Sequence, residues 1–446
     1  MRDRLLRRLP VGARGVAVLR TGAYALLTKA CAVGNLFVSM PLVHDALNPS
    51  GFGAWVTLAS IATLGAFLDF GLANGAMNLV AAAHAREDRR EVYSLVLGAW
   101  RILTRTAVLL SLVALVLLAC LPWSDLLGLD KDMGPQARAA AAATLLAMVA
   151  GVPLGLALRM QLAIGSAKSG YRLGAAGHVL ACITTILLAH HGASLPVLVA
   201  ATLWPPALAS MANTLRFARR LRGSTPIGAG TNQTRVVAIQ REGLLFFVLQ
   251  LAAALAYASD LPLISALAGA DEAGRYAVVQ RLFSLGPLAL GLLWTPLWPV
   301  YRQAFARQEY AWAFRTLRRS VAGAILASAG VAALCWHWFD AISGAWMRVS
   351  VSPRPELLAG MAAWAVADAA GGAYGTFLNA AGMFRFLVVT AILLSAATLA
   401  AKFWLVAHGH IALLPWATLT CFLLIDMIPL TILWPRMKRN LQARVY

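Results

Sequence analysis

The chain has 446 residues, of which 60% are hydrophobic and only 13% charged, at a mean hydropathy of +0.71. Those values exclude an ordinary soluble enzyme of this length. The net charge of +20 would suggest nucleic acid in a soluble domain, but its placement along the chain gives a different explanation.

Crossing a hydrocarbon core of about 30 Å takes roughly 20 apolar residues as a helix. Such stretches recur, and the expected spans lie near 18–41, 53–80, 95–121, 138–160, 172–190, 196–215, 243–266, 276–300, 320–340, 357–381, 386–407 and 411–434. The Arg-rich N-terminus followed by an apolar run resembles a signal peptide. The run is too long for a usual signal core and no small-residue cleavage site follows it, so it reads as an uncleaved first span. With both termini placed inside, 30 of the 38 Lys and Arg fall on inner connections and 6 on outer ones, with Lys29 and Lys402 inside spans. That bias is the positive-inside signature of a multi-pass membrane protein with both termini cytoplasmic. The cations therefore serve topology and contact with anionic membrane lipids, and no nucleic acid partner is expected.

Shifting the sequence by 221 residues lays one half on the other. Gly53-Ala-Trp-Val falls on Gly274-Arg-Tyr-Ala, and Ala83-His-Ala-Arg-Glu-Asp88 falls on Ala304-Phe-Ala-Arg-Gln-Glu309. Six spans per repeat return the chain to the same side, so the halves are parallel. The expected fold is all-α: about twelve transmembrane helices in two parallel six-helix lobes forming a V-shaped central cavity. The lobes are 1–215 and 243–446, joined by a basic cytoplasmic linker at 216–242 that contains Gly223-Ser-Thr-Pro226. This is the frame of an alternating-access transporter.

The sequences Gly51-Phe-Gly-Ala-Trp, Phe67-Leu-Asp-Phe-Gly71-Leu and His84-Ala-Arg-Glu-Asp88 resemble the opening of bacterial polysaccharide (O-antigen-type) flippases. In the second half, Asp260-Leu-Pro-Leu-Ile-Ser-Ala-Leu-Ala-Gly269, Gly274-Arg-Tyr276 and Arg281-Leu resemble the same family's seventh and eighth helices. That family sits in the multidrug/oligosaccharidyl-lipid/polysaccharide exporter superfamily. The resemblance implies movement of an undecaprenyl-pyrophosphate-linked oligosaccharide from the inner to the outer leaflet, for cell-surface polysaccharide such as exopolysaccharide or O-antigen. H⁺ or Na⁺ would be a coupling ion and a polysaccharide polymerase a further partner. The sister peptidoglycan-precursor flippases carry two more C-terminal helices than the twelve counted here, which disfavours that function.

A charge at mid-span costs about 2.5–3.5 kcal/mol on insertion scales, so each intramembrane ion needs a polar cavity or a partner. Lys29 in the first span either faces the lumen and attracts the substrate's diphosphate or pairs with Asp69. Arg101 and Arg105 share a helix face; they either snorkel to the interface or, with Arg159, form an anion site open to the cytoplasm. Lys29, Arg101, Arg105 and Arg159 are thus the substrate-binding candidates. Asp69 precedes Gly71-Leu-Ala-Asn-Gly75, whose spacing permits close helix approach, and either braces that packing or gates. Asp260, Asp368, Asp426 and Lys402 are, with Asp69, the coupling-ion or gating candidates; alternatively Asp368 or Asp426 neutralises Lys402. Pro153, Pro287, Pro296 and Pro299 would kink or break their helices.

The five cysteines are isolated and the histidines form no site, so no metal is expected, nor any other cofactor. No phosphate-loop motif occurs, and no connection is large enough for a catalytic domain. No enzyme activity is expected. Two alternatives remain: a cation-coupled multidrug antiporter of the same superfamily, and a membrane-embedded polysaccharide polymerase or ligase.

Overall fold

The computed structural model describes residues 13–222, 247–248, 250–252, 255–348 and 351–443. In chain order its helices are α1 Ala13–Ala46, α2 Pro49–Leu64, α3 Leu72–Ala85, α4 Arg89–Cys120, α5 Trp123–Leu126, α6 Gly134–Leu154, α7 Leu156–Ala163, α8 Lys168–His190 and α9 Leu195–Arg222. The second half continues with α10 Gln250–Tyr257, α11 Asp260–Ala268, α12 Ala270–Phe283, α13 Leu285–Ala306, α14 Tyr310–His337, α15 Phe339–Met347, α16 Pro355–Ala380, α17 Phe384–Ala407, α18 Leu414–Phe422 and α19 Ile428–Ala443. No strand occurs among the described residues. The protein is all-α and polytopic.

Nine helices among the described residues are long and apolar enough to cross a membrane, or ten if the bent pair α10–α11 counts as one. The remaining two expected spans also fall on helices. At 276–300 the chain is interrupted at Ser284 between α12 and α13, and at 357–381 the 26-residue α16 is diluted by Asp368, Gly371, Gly372, Tyr374 and Asn379. Side chains that water would penalise point outward: Leu109 is 63% exposed, Leu326 73% and Ile432 69%. Apolar exposure of this kind fits a surface solvated by lipid tails. The segment 1–12 and most of the expected linker, from 223 to 242, lie outside the described residues, and α9 carries the chain as a helix to Arg222.

The chain divides into two compact units. The first is 1–47, 61–123 and 134–247; the second is 48–60, 124–133 and 248–446. Within the first, α1 and α9 pack on α8, and α4 packs on α3 and α6. Small residues make these approaches possible. A Cβ on Gly177 of α8 would stand 2.7 Å from Ala209 Cβ and 2.9 Å from Pro206 Cα on α9. Gln161 and Asn213 exchange buried amide hydrogen bonds at 2.9 and 3.3 Å, pinning α7 to α9. In the second unit, α16 packs on α13, α14 and α18, around an aromatic core of Tyr301, Phe305, Phe314, Phe377 and Trp434. Helix α6 ends one residue after Pro153, and Pro287 stands in the first turn of α13 after the break at Ser284. A ring that cannot donate a hydrogen bond is tolerated at such places.

The repeat is visible in the backbone. Glu87 and Gln308, 221 residues apart, both adopt positive φ, at 58° and 61°. Around them the same bonds recur: Asp88 N to Ala83 O at 3.1 Å and Glu309 N to Ala304 O at 2.8 Å. Asp88 also caps α4, its Oδ1 accepting from Glu91 N at 2.9 Å. Later the register slips. Gly165 matches Gly382 and Gly192 matches Gly409, all at positive φ and each pair 217 apart. The slip falls between Gly134–Ala163 in the first half and α16 in the second. The first-half stretch, broken at Gly155, is four residues longer, or about one helical turn. A single offset of 221 is therefore correct only for the front of each half.

Candidate functional site

In the first unit, the expected anion-binding residues separate into two groups. Lys29 is exposed on α1, and among the described residues no carboxylate lies within 4 Å of it, so its pairing with Asp69 is not formed. Next to it, Thr28 Oγ1 donates to Tyr171 O of α8 at 2.8 Å. Arg159 of α7 is half-buried and within electrostatic range of both the Tyr171 hydroxyl and the Asp69 carboxylate. Lys168, one turn before Tyr171, stands 5.4 Å over the Tyr24 ring of α1. Lys29, Arg159 and Lys168 thus belong to elements gathered around Tyr171.

Arg101 and Arg105 belong to α4, which packs on α3 and α6 instead. Both are exposed, on a face that continues into Leu109, Leu112 and Val116, exposed at 63%, 57% and 60%. Guanidinium groups leading into a lipid-type stripe have the placement of snorkelling anchors. Asp69 is buried and turns its carboxylate on the backbone: Oδ1 accepts from Gly71 N at 2.9 Å, where φ is +71°. The Asp-Phe-Gly sequence explains this bend, since only glycine adopts that φ without strain.

The second unit holds the densest polar cluster. Lys402 Nζ of α17 lies 2.5 Å from Asp260 Oδ1, with the two side chains 1% and 9% exposed. Asp260 Oδ2 accepts from the Tyr276 hydroxyl at 2.9 Å and from Gln280 Nε2 at 3.2 Å, both on α12. Lys402 also donates to Ala256 O of α10 at 2.7 Å. The partner of Lys402 is therefore Asp260, rather than Asp368 or Asp426. Contact between α11 and α17 brings together residues 142 positions apart.

Asp368 and Asp426 instead act on a different group. Both lie within electrostatic range of the Tyr257 hydroxyl at the end of α10. Asp368 is exposed, one turn after Trp364, whose ring stacks on Tyr257 at 5.6 Å. Asp426, held by the Thr390 side chain, lies in a π-helical turn, Leu423–Met427, between α18 and α19. Such one-turn widenings concentrate at functional sites. Among the described residues, no three His, Cys, Asp or Glu side chains are arranged to hold a metal ion.

Sequence reading missed Tyr257, Tyr276 and Gln280 as partners of the charged groups. Tyr276 was visible as the repeat mate of Trp55 and within the family-like Gly274-Arg-Tyr276, but not as a partner of Asp260; Tyr276 and Trp55 are fully buried, at 2% and 1%. The one local signal for the helix break was Ser259-Asp260-Leu261-Pro262, with proline in the first turn of α11.

A family model described as polysaccharide biosynthesis protein matches residues 18–305, well over half of the chain. The chain belongs to this polysaccharide biosynthesis family. No curated protein matches it. Among solved structures, an inward-facing multidrug resistance MATE family transporter of the MOP superfamily superposes with a TM-score of 0.72 at 13% identity, covering 95% of this chain and 100% of that one. An outward-facing MATE transporter gives 0.62 at 14% identity, covering 96% and 97%. A MOP superfamily transporter from Pyrococcus furiosus gives 0.62 at 14% identity, covering 96% of both chains. At these identities the solved structures establish the fold. With the family match, they make this a multi-pass membrane transporter of the MOP superfamily.

Proposed function

We propose that this family member flips a polyprenyl-pyrophosphate-linked oligosaccharide from the cytoplasmic to the outer leaflet of the bacterial cytoplasmic membrane, for surface polysaccharide synthesis. The observation that carries the reading is the polysaccharide biosynthesis match over residues 18–305. It is supported by the basic group around Tyr171, because a diphosphate crossing an apolar barrier needs compensating cations. Lys29 and Arg159 are the proposed diphosphate contacts; Arg101 and Arg105 are proposed to hold α4 at the interface and to draw the anionic headgroup toward it. With cytoplasmic termini, the membrane potential assists outward movement of negative charge by about 2.3 kcal/mol per charge per 100 mV. The halves 1–215 and 243–446, joined by 216–242, are the proposed moving lobes. The repeat mates Gly53 and Gly274 pack against one another, as residues beside a pseudo-twofold axis would.

One observation favours a second reading. Tyr257, Trp364, Asp368 and Asp426 form an aromatic and acidic group, the chemistry that would receive a cationic drug rather than a diphosphate. Complementation separates the two. In a flippase-deficient strain the wild-type gene restores surface polysaccharide and Lys29→Ala, at normal membrane level, does not. Full export by Lys29→Ala removes Lys29 from the site. Drug resistance without polysaccharide export establishes the second reading.

A further inference from the structure

The helix that opens the C-terminal half is broken: α10 and α11 meet at 44° across Ala258 and Ser259. A break leaves the last carbonyls of its first segment without donors from the same helix. Two carbonyls at this break take donors from elsewhere. Lys402 Nζ donates to Ala256 O at 2.7 Å, and Ser60 Oγ donates to Ala258 O at 3.2 Å. Across the break, Asp260 opens α11 and meets the same ammonium. One carboxylate oxygen and one backbone carbonyl at an interrupted membrane helix therefore hold a cation. Discontinuous helices in secondary transporters present this donor set to a coupling ion.

We propose that the Lys402 ammonium is a tethered cation occupying the coupling-cation position of the C-terminal half, so that the protein works without an alkali-metal ion there. The word coupling rests on the transporter assignment; the resident cation does not.

The two repeats show that the fold itself does not need these charges. With the offsets of 221 and 217, Asp260 corresponds to Ser39 and Lys402 to Thr185, both 0% exposed. The same buried positions are thus filled by small neutral hydroxyl side chains in one half and by an ion pair in the other. The pair carries a desolvation penalty that the first half does without, which points away from packing as its reason. Nor does the carboxylate leave room for a second cation. Oδ1 faces the ammonium and Oδ2 takes two hydrogen bonds, from Tyr276 and Gln280. An ammonium is a compact point charge that accepts the same oxygen partners as an alkali ion. Unlike the ion, it cannot leave, so no metal-ion gradient is spent at this place.

The test is thermal unfolding of the purified full-length protein in NaCl and in choline chloride of equal ionic strength. Wild type is expected to melt at one temperature in both. Lys402→Ala removes the ammonium and opens its place, leaving Asp260 and Ala256 O to bind the added ion. It is expected to gain a saturable upward shift of several degrees in Na⁺, which disappears in Lys402→Ala/Asp260→Asn. Saturable Na⁺ stabilisation of wild type overturns the proposal, as does a folded Lys402→Ala that ignores Na⁺. If Lys402→Ala does not fold, export by wild-type cells shifted to Na⁺-free medium decides. An unchanged rate supports the tethered cation, and a fall of fivefold or more with the proton gradient held constant overturns it. The melting assay contains no transported substrate, so its failure leaves the oligosaccharide reading standing, and the reverse also holds.

Discussion

Gly53→Ala probes a close backbone approach in the second unit. A Cβ placed on Gly53 would sit 1.7 Å from Ala270 O and 2.3 Å from Ala270 C. Ordinary contact needs about 3.5 Å, so the two backbones must part by nearly 2 Å. Neither partner atom is the end of a flexible side chain. From the other side, a Cβ on Gly274 would lie 3.1 Å from Phe52 Cδ1, so the crossing is closed in both directions. Overpacking a filled interior costs about 1–3 kcal/mol, and a backbone neighbour puts this case at the upper end. At roughly 2–4 °C per kcal/mol, the melting temperature of the purified protein falls by about 6–12 °C. Gly330→Ala on α14 is the control: nothing lies within 4 Å of its Cβ, and alanine is the better helix former. If Gly53→Ala melts with Gly330→Ala, within about 2 °C of wild type, the close crossing is not formed and the reasoning fails.

Asn213→Leu, which leaves the buried Gln161 amide unpaired, is expected to cost about 1–3 kcal/mol, with most of it restored in Gln161→Leu/Asn213→Leu; denaturant unfolding of the three proteins checks this. Asp69→Ala, losing the bond to Gly71 N, should destabilise by about 1 kcal/mol and leave insertion intact, which melting and membrane-fraction blots measure. Reporter fusions at 131–136 are expected to read outside and fusions at 223–230 inside, from the charge asymmetry; the opposite pattern reverses the orientation.

The spans and the repeat were legible because both rest on local rules. Apolar length sets a membrane helix, and the Glu87 and Gln308 turns each follow Ala-x-Ala-Arg. The change of offset to 217 was not legible, since one extra turn in the Gly134–Ala163 stretch leaves hydropathy unchanged while moving every later residue. The charges were found but not their partners. Composition marks Lys402 as needing an anion, yet Asp260, Asp368 and Asp426 are equivalent in sequence, and only the packing of α11 on α17 selects Asp260. Arg101 and Arg105 show the same limit: four-residue spacing puts them on one face, and the exposed stripe through Val116 says which way it points.

Flipping itself is measured by reconstituting the purified protein in vesicles that carry a fluorescent polyprenyl-diphosphate oligosaccharide in both leaflets, then adding a membrane-impermeant quencher. Wild-type protein is expected to make nearly all of the fluorescence accessible, and Lys29→Ala to slow this at least tenfold. Accessibility that stops at the outer-leaflet half, as in protein-free vesicles, would contradict it.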